Sequence, residues 1–192
     1  MRKYRYICGV FQFINTPKMR KLTTSELNRL ELSEYRIVEK IPVVIVVDNV
    51  RSLNNVGSFF RTADAFRISR LYLCGITACP PHREIHKTAL GAEESVEWRY
   101  FKTTAEACES LKTEGFDIFA VEQVEGSTML ADFDIKPNSA FVFGNEVDGV
   151  SEEALPYCKS AVEIPQAGTK HSLNVSVSAG IVMYEIFRKL FG

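Results

Sequence analysis

The sequence lacks a long apolar run, an excess of either charge and paired cysteines. No stretch approaches the roughly 18 uninterrupted apolar residues of a membrane span, and no clear signal-peptide cleavage site follows the short apolar segment near the start. We therefore expect a cytoplasmic protein without a membrane segment. The cysteines form no C-x-x-C pair, so neither a disulfide framework nor a zinc ribbon is indicated. They are Cys8, Cys74, Cys79, Cys108 and Cys158.

The formal net charge of −1 gives no sign of the basic excess that phosphate-binding domains usually carry. A local excess lies at the start of the chain, where basic residues are interleaved with aromatic ones and no acidic residue occurs. These basic residues are Arg2, Lys3, Arg5, Lys18, Arg20 and Lys21. Such a segment is typical of a solvated terminus and also of an arm that contacts RNA, and both interpretations stay open.

From about residue 41 onward, apolar runs alternate with segments of helical periodicity. Residues 43–47 are consecutive apolar residues, mostly β-branched, and predict a buried strand. Residues 56–66 then carry apolar side chains at helical spacing. Because the same alternation continues to a long apolar closing helix, the sequence predicts an α/β fold with a mostly parallel sheet and helices on both faces.

The length of 192 residues suits one substantial core and is short for two enzymatic domains. We therefore expect a single main domain over residues 41–192. Residues 1–40 would form a short basic N-terminal extension with one helix, capped at Thr24 and running through Leu32.

Three predicted loops that follow strands carry many polar residues, and in such sheets ligands bind beyond the carboxyl ends of the strands. The first loop leads into a helix with Asn55 and Arg61. Taken alone, Asn55 is typical of a helix cap and Arg61 of a surface ion-pair partner. The second loop places Glu146 between Gly144 and Gly149, which suits a ligand-binding loop or an ordinary turn capped at its end.

The third loop leads into the closing helix, with Ser172 and Asn174 expected in its first turn. Free backbone N–H groups there attract oxygen-rich ligands, although Ser172 could be only a cap. The nearby segment GTKHS lacks the spacing of a phosphate-binding loop, and no G-x-G-x-x-G follows any strand. A nucleoside triphosphatase and a dinucleotide-binding domain therefore have no support.

The order and joint presence of these loops resemble the three signature motifs of the SpoU (TrmH-like) branch of the SPOUT methyltransferases. The motifs are N-x5-R from Asn55 to Arg61, G-N-E-x-x-G around Glu146, and I-P-x-x-G-x-x-x-S-L-N-V-S-V from Ile164. The similarity spans residues 43–188, and the last motif is highly specific. It implies an enzyme that methylates a ribose 2′-hydroxyl of tRNA or rRNA. About 40 residues precede the core, which is short for the added RNA-binding domain of many family members, so we expect tRNA, and rRNA stays open.

The resemblance also implies S-adenosylmethionine as cofactor, held mainly by backbone groups of a C-terminal trefoil knot in a SPOUT methyltransferase domain. By match to the motifs, the cofactor-binding residues are Phe143, Gly144, Asn145, Ile164, Gln166, Gly168 and Leu173. Family members commonly carry Met where Gln166 stands, so a role for that side chain stays open.

The same matching places Asn55, Arg61, Glu146, Ser172 and Asn174 at the family's catalytic positions. A guanidinium is essentially always protonated, so we interpret Arg61 as an anchor for phosphate or ribose rather than as a base. In our hypothesis Glu146 orients Arg61 and Asn55. Ser172 and Asn174 would then position Arg61 or the nucleotide.

The resemblance further implies a homodimer that pairs through the closing helix. Two other functions stay open: a non-catalytic RNA-binding protein that keeps the fold, and a related enzyme that methylates a base. The second should lack the Asn55 and Arg61 arrangement. The complete set of catalytic positions favours the ribose methyltransferase over both.

His82 and His86 are one helical turn apart with Cys79 nearby, but no third metal ligand is assured, so we expect no metal. Solvated or RNA-facing histidines fit this spacing better. Lys87 and Gly91 lie in a segment that also resembles a family stretch near the site, where they could approach the nucleotide.

Overall fold

The structure is a computed structural model, and it describes residues 19–23 and 25–191. The start of the basic segment and the predicted cap at Thr24 lie outside the described residues, so the proposed RNA arm stays a prediction. The chain divides into two compact units between Glu31 and Leu32.

The prediction of a helix that runs through Leu32 is wrong. Ser25–Leu27 forms a single 3-10 turn, and Asn28 has a φ of 46°, a left-handed conformation that does not continue a helix. The first α-helix, α1, is Leu32–Ile37 and belongs to the second compact unit.

The predicted mostly parallel sheet is confirmed. Its seven strands within the described residues are β1 Ile41–Asp48, β2 Ile68–Cys74, β3 Glu97–Phe101, β4 Asp117–Val121, β5 Thr128–Met129, β6 Ser139–Phe143 and β7 Ser160–Glu163. They are arranged in the order β3-β2-β1-β6-β4-β7-β5, and every pairing is parallel. The carboxyl ends of all these strands therefore point to the same edge.

Helices cover both faces of this sheet. The remaining helices are α2 Leu53–Ala65, α3 Arg83–Ala89, α4 Ala92–Ser95, α5 Thr104–Thr113 and α6 Val175–Leu190. Because side chains alternate along β1, Val43 and Ile45 pack in one core with α2 and α6, whereas Val44 and Val46 pack in another with α5. None of the helices in the described residues is both long and apolar enough to span a membrane.

The sequence of residues 151–158 also predicts a short helix, and the structure has less of it than expected. The segment after Ser151 forms only a 3-10 turn, Leu155–Tyr157. Pro156 has no backbone N–H, so an α-helix that began near Ser151 would lose a hydrogen bond there. The two-residue strand β5 was not predicted, because it is too short to show a period.

Candidate active site

The loops after β1, β6 and β7, which carry most of the predicted catalytic residues, open at the same edge of the sheet. β1 and β6 are neighbours, so the loop after Asp48 lies beside the loop after Phe143. β7 lies beyond β4, and the helix that follows it, α6, packs against α2. This arrangement brings together side chains that are as much as 121 positions apart in the sequence.

Asn55 and Glu146 make the first contact across these loops. Nδ2 of Asn55 donates to Oε1 of Glu146 at 2.8 Å, and the backbone N–H of Arg51 donates to Oε2 at 3.4 Å. Asn55 does not cap α2, because Oγ of Ser52 takes that role by accepting from the backbone N–H of Asn55. The buried side chain of Asn55 is therefore available to Glu146.

Asn174 and Ser176 complete the cluster on the other side of Asn55. Nδ2 of Asn174 donates to Oδ1 of Asn55 at 3.2 Å. Oγ of Ser176 donates to Oδ1 of Asn174 at 2.7 Å and lies 3.4 Å from Oδ1 of Asn55. Oδ1 of Asn174 caps α6 by accepting from the first free N–H groups of the helix. The helix therefore begins after Asn174, and Ser172 lies in the preceding loop rather than in the first turn.

Neighbouring groups that can only accept or only donate hydrogen bonds fix the orientation of the side-chain amides of Asn55 and Asn174. A carboxylate only accepts hydrogen bonds, so Glu146 must receive Nδ2 of Asn55, which leaves Oδ1 of Asn55 facing Asn174. The free N–H groups of a helix start only donate, so they bind Oδ1 of Asn174 and turn its Nδ2 toward Asn55. We call Asn55, Glu146, Asn174 and Ser176 the amide network.

The carboxyl group of Glu146 is held in its charged form. Partial burial alone would raise the pKa of Glu146, but hydrogen bonds outweigh this effect and lower the pKa from its usual value. The donors are its own backbone N–H, the Asn55 amide and the backbone N–H groups of Arg51 and Ser52. At neutral pH Glu146 is therefore an acceptor only, as the amide network requires.

Residues 144–151, which we call the Glu146 loop, form a tight turn that depends on glycine at two positions. Asn145 and Gly149 exchange backbone hydrogen bonds of 3.0 and 3.2 Å, and Oδ1 of Asn145 accepts from two further N–H groups inside the turn. A Cβ on Gly144 would lie 1.9 Å from the carbonyl carbon of Gly149, which itself has a φ of 71°. Side chains at either position would force this loop open.

A cavity of about 600 Å³ lies between the Glu146 loop and residues 165–173, which we call the closing loop. Its size falls within the range of roughly 300–1,000 Å³ that is typical of small-molecule sites. Predicted site residues that line it are Phe143, Gly144, Asn145, Ile164, Gln166 and Leu173, with Glu146, Ser172 and Asn174. Gly168 belongs to the closing loop but is not part of this lining.

Arg61 is not part of the amide network. It is exposed on α2, and within residues 19–23 and 25–191 it has no hydrogen-bond or ion-pair partner. At 3.6 residues per turn, a separation of six residues turns Arg61 about 120° around the helix from Asn55. The contact between Glu146 and Arg61 that we hypothesised is therefore not formed, and neither is a surface ion pair.

The two histidines have structural partners. Nδ1 of His82 caps α3 by accepting from the backbone N–H of Glu84, and Nδ1 of His86 lies 2.5 Å from Oε1 of Glu93. Lys87 pairs with Glu84 on the exposed side of the helix. In the part of the chain that the structure describes, no group of three or more His, Cys, Asp or Glu side chains is placed to hold a metal.

Residues 42–184 match the model of the family described as SpoU rRNA Methylase. The chain belongs to this family. Among the relatives of this SpoU chain is the tRNA (guanosine(18)-2′-O)-methyltransferase of Thermus thermophilus, which is 30% identical over 171 residues. That match covers 89% of this chain and 86% of the Thermus protein.

Longer proteins also match the SpoU chain. An uncharacterized tRNA/rRNA methyltransferase of Synechocystis sp. is 35% identical over 77% of this chain, but the match spans only 38% of that protein. The crystal structure of an AdoMet-bound rRNA methyltransferase from Sinorhizobium meliloti has a TM-score of 0.74 and 26% identity. It covers 82% of this chain, and the matched part is 61% of that protein.

Sequence reasoning missed four residues in or beside the candidate site: Ser176, Asp48, Glu122 and Gln123. Asp48 is fully buried, and its carboxylate accepts from the side chains of Asn49 and Thr104 and from the backbone N–H of Ser151. Glu122 and Gln123 line the cavity. Asp48 is the last residue of the apolar strand β1, and Glu122 directly follows the apolar strand β4. Polar residues at strand ends are the same signal that indicated the three predicted loops.

Proposed function

We propose that this chain is an S-adenosylmethionine-dependent methyltransferase that acts on a ribose 2′-hydroxyl of structured RNA. The observation that carries this proposal is the amide network, which lies at the rim of a cavity lined by six of the seven expected cofactor residues. The Thermus relative is named for the same chemistry on tRNA. Membership in the SpoU family supports it further.

The residues of the cavity fit S-adenosylmethionine on chemical grounds. Phe143, Val162 and Ile164 give it an apolar part that suits an adenine ring. The carboxylates of Glu122 and Glu146 also line it and complement a positive sulfonium. When bound, the cofactor supplies an electrophilic methyl group on sulfur.

The protein's own contribution is alignment. A ribose hydroxyl is a poor nucleophile unless its proton is removed or its oxygen is held in place. Asn55 and Asn174 have fixed orientations before any substrate arrives, so they can hold a nucleotide without reorganisation. We assign Glu146 the role of fixing Asn55, and Ser172 the role of contacting the nucleotide or cofactor from the cavity wall.

Arg61 is proposed as the anchor for a phosphate or ribose oxygen of the RNA. Its guanidinium is exposed and has no partner within the described residues, so its full charge is available to an incoming phosphate. Because Arg61 lies outside the cavity, it would act on the RNA and not on the cofactor.

Two finer features of the assembly are also proposed. Family membership supports a C-terminal trefoil knot, as does the strand order β6-β4-β7, in which the chain crosses β4 to reach β7. A homodimer through α6 is supported by Val177, Ile181 and Tyr184, which recur at helical spacing and are 51%, 38% and 55% exposed.

We propose tRNA rather than rRNA as the substrate. We also propose a cytoplasmic location. The Thermus tRNA enzyme and this chain align over most of both proteins, whereas the matched part is a minority of the Synechocystis protein. The substrate of the Thermus enzyme therefore supports tRNA.

The test is methyl transfer from tritium-labelled S-adenosylmethionine to purified tRNA and, separately, to rRNA. Label on a ribose 2′-oxygen survives alkaline hydrolysis in dinucleotides, because that hydroxyl is needed for strand cleavage, whereas label on a base appears in mononucleotides. We expect dinucleotide label from tRNA. Label in mononucleotides would indicate base methylation, and RNA binding without transfer would indicate a non-catalytic RNA-binding protein.

A further inference from the structure

The carboxyl end of β4 lies between the two walls of the cavity. In the sheet, β4 has β6 on one side and β7 on the other, and the Glu146 loop and the closing loop leave from those two neighbours. Glu122 and Gln123 follow β4 directly, and both line the cavity. Their side chains therefore stand where contact with both loops is possible.

Glu122 contacts the wall formed by the Glu146 loop. Its Oε2 accepts from the backbone N–H of Val150 at 3.2 Å, and its Oε1 accepts from the backbone N–H of Gln123 at 2.8 Å. A Cβ on Gly149 would lie 2.2 Å from Oε2 of Glu122. The glycine at this position therefore leaves the space through which the carboxylate reaches the loop.

Gln123 contacts the opposite wall. Its Nε2 donates to the backbone carbonyl of His171 at 2.8 Å. Every residue of the closing loop is exposed, and within the described residues this is the only hydrogen bond that any of them makes. Within the described residues, one side-chain hydrogen bond therefore joins this nine-residue segment to the end of β4.

We propose that Gln123 is a positioning residue that latches the closing loop over the cofactor cavity, while Glu122 fixes the same strand end to the other wall. The cofactor role of this latch rests on the proposed function. An amide donor to a carbonyl gives a modest net stabilisation, so the latch can open and close. Cofactor binding and release then require the breaking of one hydrogen bond and not the unfolding of a strand.

The first test measures the loop without any cofactor. Lys170 lies in the closing loop next to His171, so trypsin cleavage after Lys170 reports how often the loop leaves its place. In the full-length protein, Gln123→Ala and Gln123→Met should each raise this cleavage rate about three- to ten-fold. Gln123→Met keeps the length of the side chain and removes only the donor, so it separates the latch from packing.

The second test measures cofactor affinity and turnover apart from each other. For the same variants we expect the Kd of S-adenosylmethionine to rise about three- to ten-fold, with kcat at saturating cofactor within two-fold of the wild type. Glu125→Ala is the matched control, since Glu125 is exposed two residues beyond Gln123 and has no partner within the described residues. It should change neither quantity.

Unchanged cleavage after Lys170 in both Gln123 variants would overturn the latch, as would faster cleavage with an unchanged Kd. A wild-type protein that does not bind S-adenosylmethionine would instead contradict the proposed function. The cleavage assay on cofactor-free protein would still decide whether Gln123 holds the loop, so the two failures are distinguishable.

Discussion

The two walls of the cavity are held in opposite ways. The Glu146 loop is fixed by paired backbone hydrogen bonds, by an internal asparagine turn and by the carboxylates of Asp48 and Glu122. The closing loop is exposed, and within the described residues its single hydrogen bond is the one from Gln123 to His171. The difference matches two requirements of a transferase. The groups that align the acceptor must stay in place, which suits the Glu146 loop. The cofactor must enter and its product must leave, which suits the closing loop.

The largest expected effect on methyl transfer comes from a substitution of Arg61, which lies in neither wall of the cavity. Arg61→Ala should lower methyl transfer by about 10³-fold, because an anchored phosphate or ribose would lose its charged partner. The Kd of S-adenosylmethionine should stay nearly unchanged, since Arg61 does not line the cavity. Single-turnover transfer and cofactor titration measure the two quantities, with Arg99→Ala on edge strand β3 as control. Preserved turnover would rule out the anchor.

A substitution of Glu146, in the wall with the larger number of hydrogen bonds, should have the next largest effect on methyl transfer. Glu146→Ala removes the acceptor that orients Asn55, and we expect kcat at saturating cofactor to fall about 10²-fold. Glu146→Gln should lose less, because its amide oxygen can still accept from Asn55. Equal losses in the two variants would show that charge, rather than orientation of the amide, is what Glu146 supplies.

The fixed wall also depends on Asp48 behind it. Asp48→Ala should lower the free energy of unfolding by about 2 kcal/mol, because three buried or partly buried donors lose their acceptor. Urea unfolding measures this loss. Asp117→Ala is the control, since within the described residues the side chain of Asp117 makes only an exposed ion pair with Lys159, and such pairs contribute roughly 0–1 kcal/mol. A similar loss in both variants would contradict the assigned role.

The smallest expected effect separates two roles of one residue. Asn174→Asp keeps a good cap for α6, so the free energy of unfolding should fall only by the lost hydrogen bond to Asn55, about 1 kcal/mol. The new carboxylate cannot donate to Oδ1 of Asn55, and we expect kcat to fall about ten-fold. Asn174→Ala should lose both the cap, about 1 kcal/mol, and turnover. An active Asn174→Asp enzyme would remove Asn174 from the alignment of the acceptor.

The fold was largely predictable because its signals are local. The apolar run of β1 and the spacing along α2 depend only on neighbouring residues, and both elements were found. The sheet order is different, because nothing in the period of β6 indicates that it lies between β1 and β4. The helix cap was also ambiguous, since Ser52 and Asn55 are both good caps and only the folded chain selects between them.

The site was predictable where a motif carries it and not elsewhere. Most of the motif residues line the cavity or join the amide network, and their catalytic and cofactor-binding roles stay predictions. The spacing between Asn55 and Arg61 did not show that their side chains lie on different faces of α2. Residues of one helix are neighbours on the same face when they are three or four positions apart. Gln123 could not be found from the sequence, since its contact with His171 depends on β4 lying beside β7.

The place of β1 in the sheet has a consequence during synthesis of the chain. Residues 43–47 are completely buried, and one neighbour, β2, follows within about 20 residues. The other neighbour, β6, begins only at Ser139. Until the ribosome has released that segment, an apolar strand presents unpaired backbone groups along one edge, which is a template for aggregation. Fragments that end before Phe143 should therefore be poorly recovered, and nascent chains of that length should depend most on chaperones.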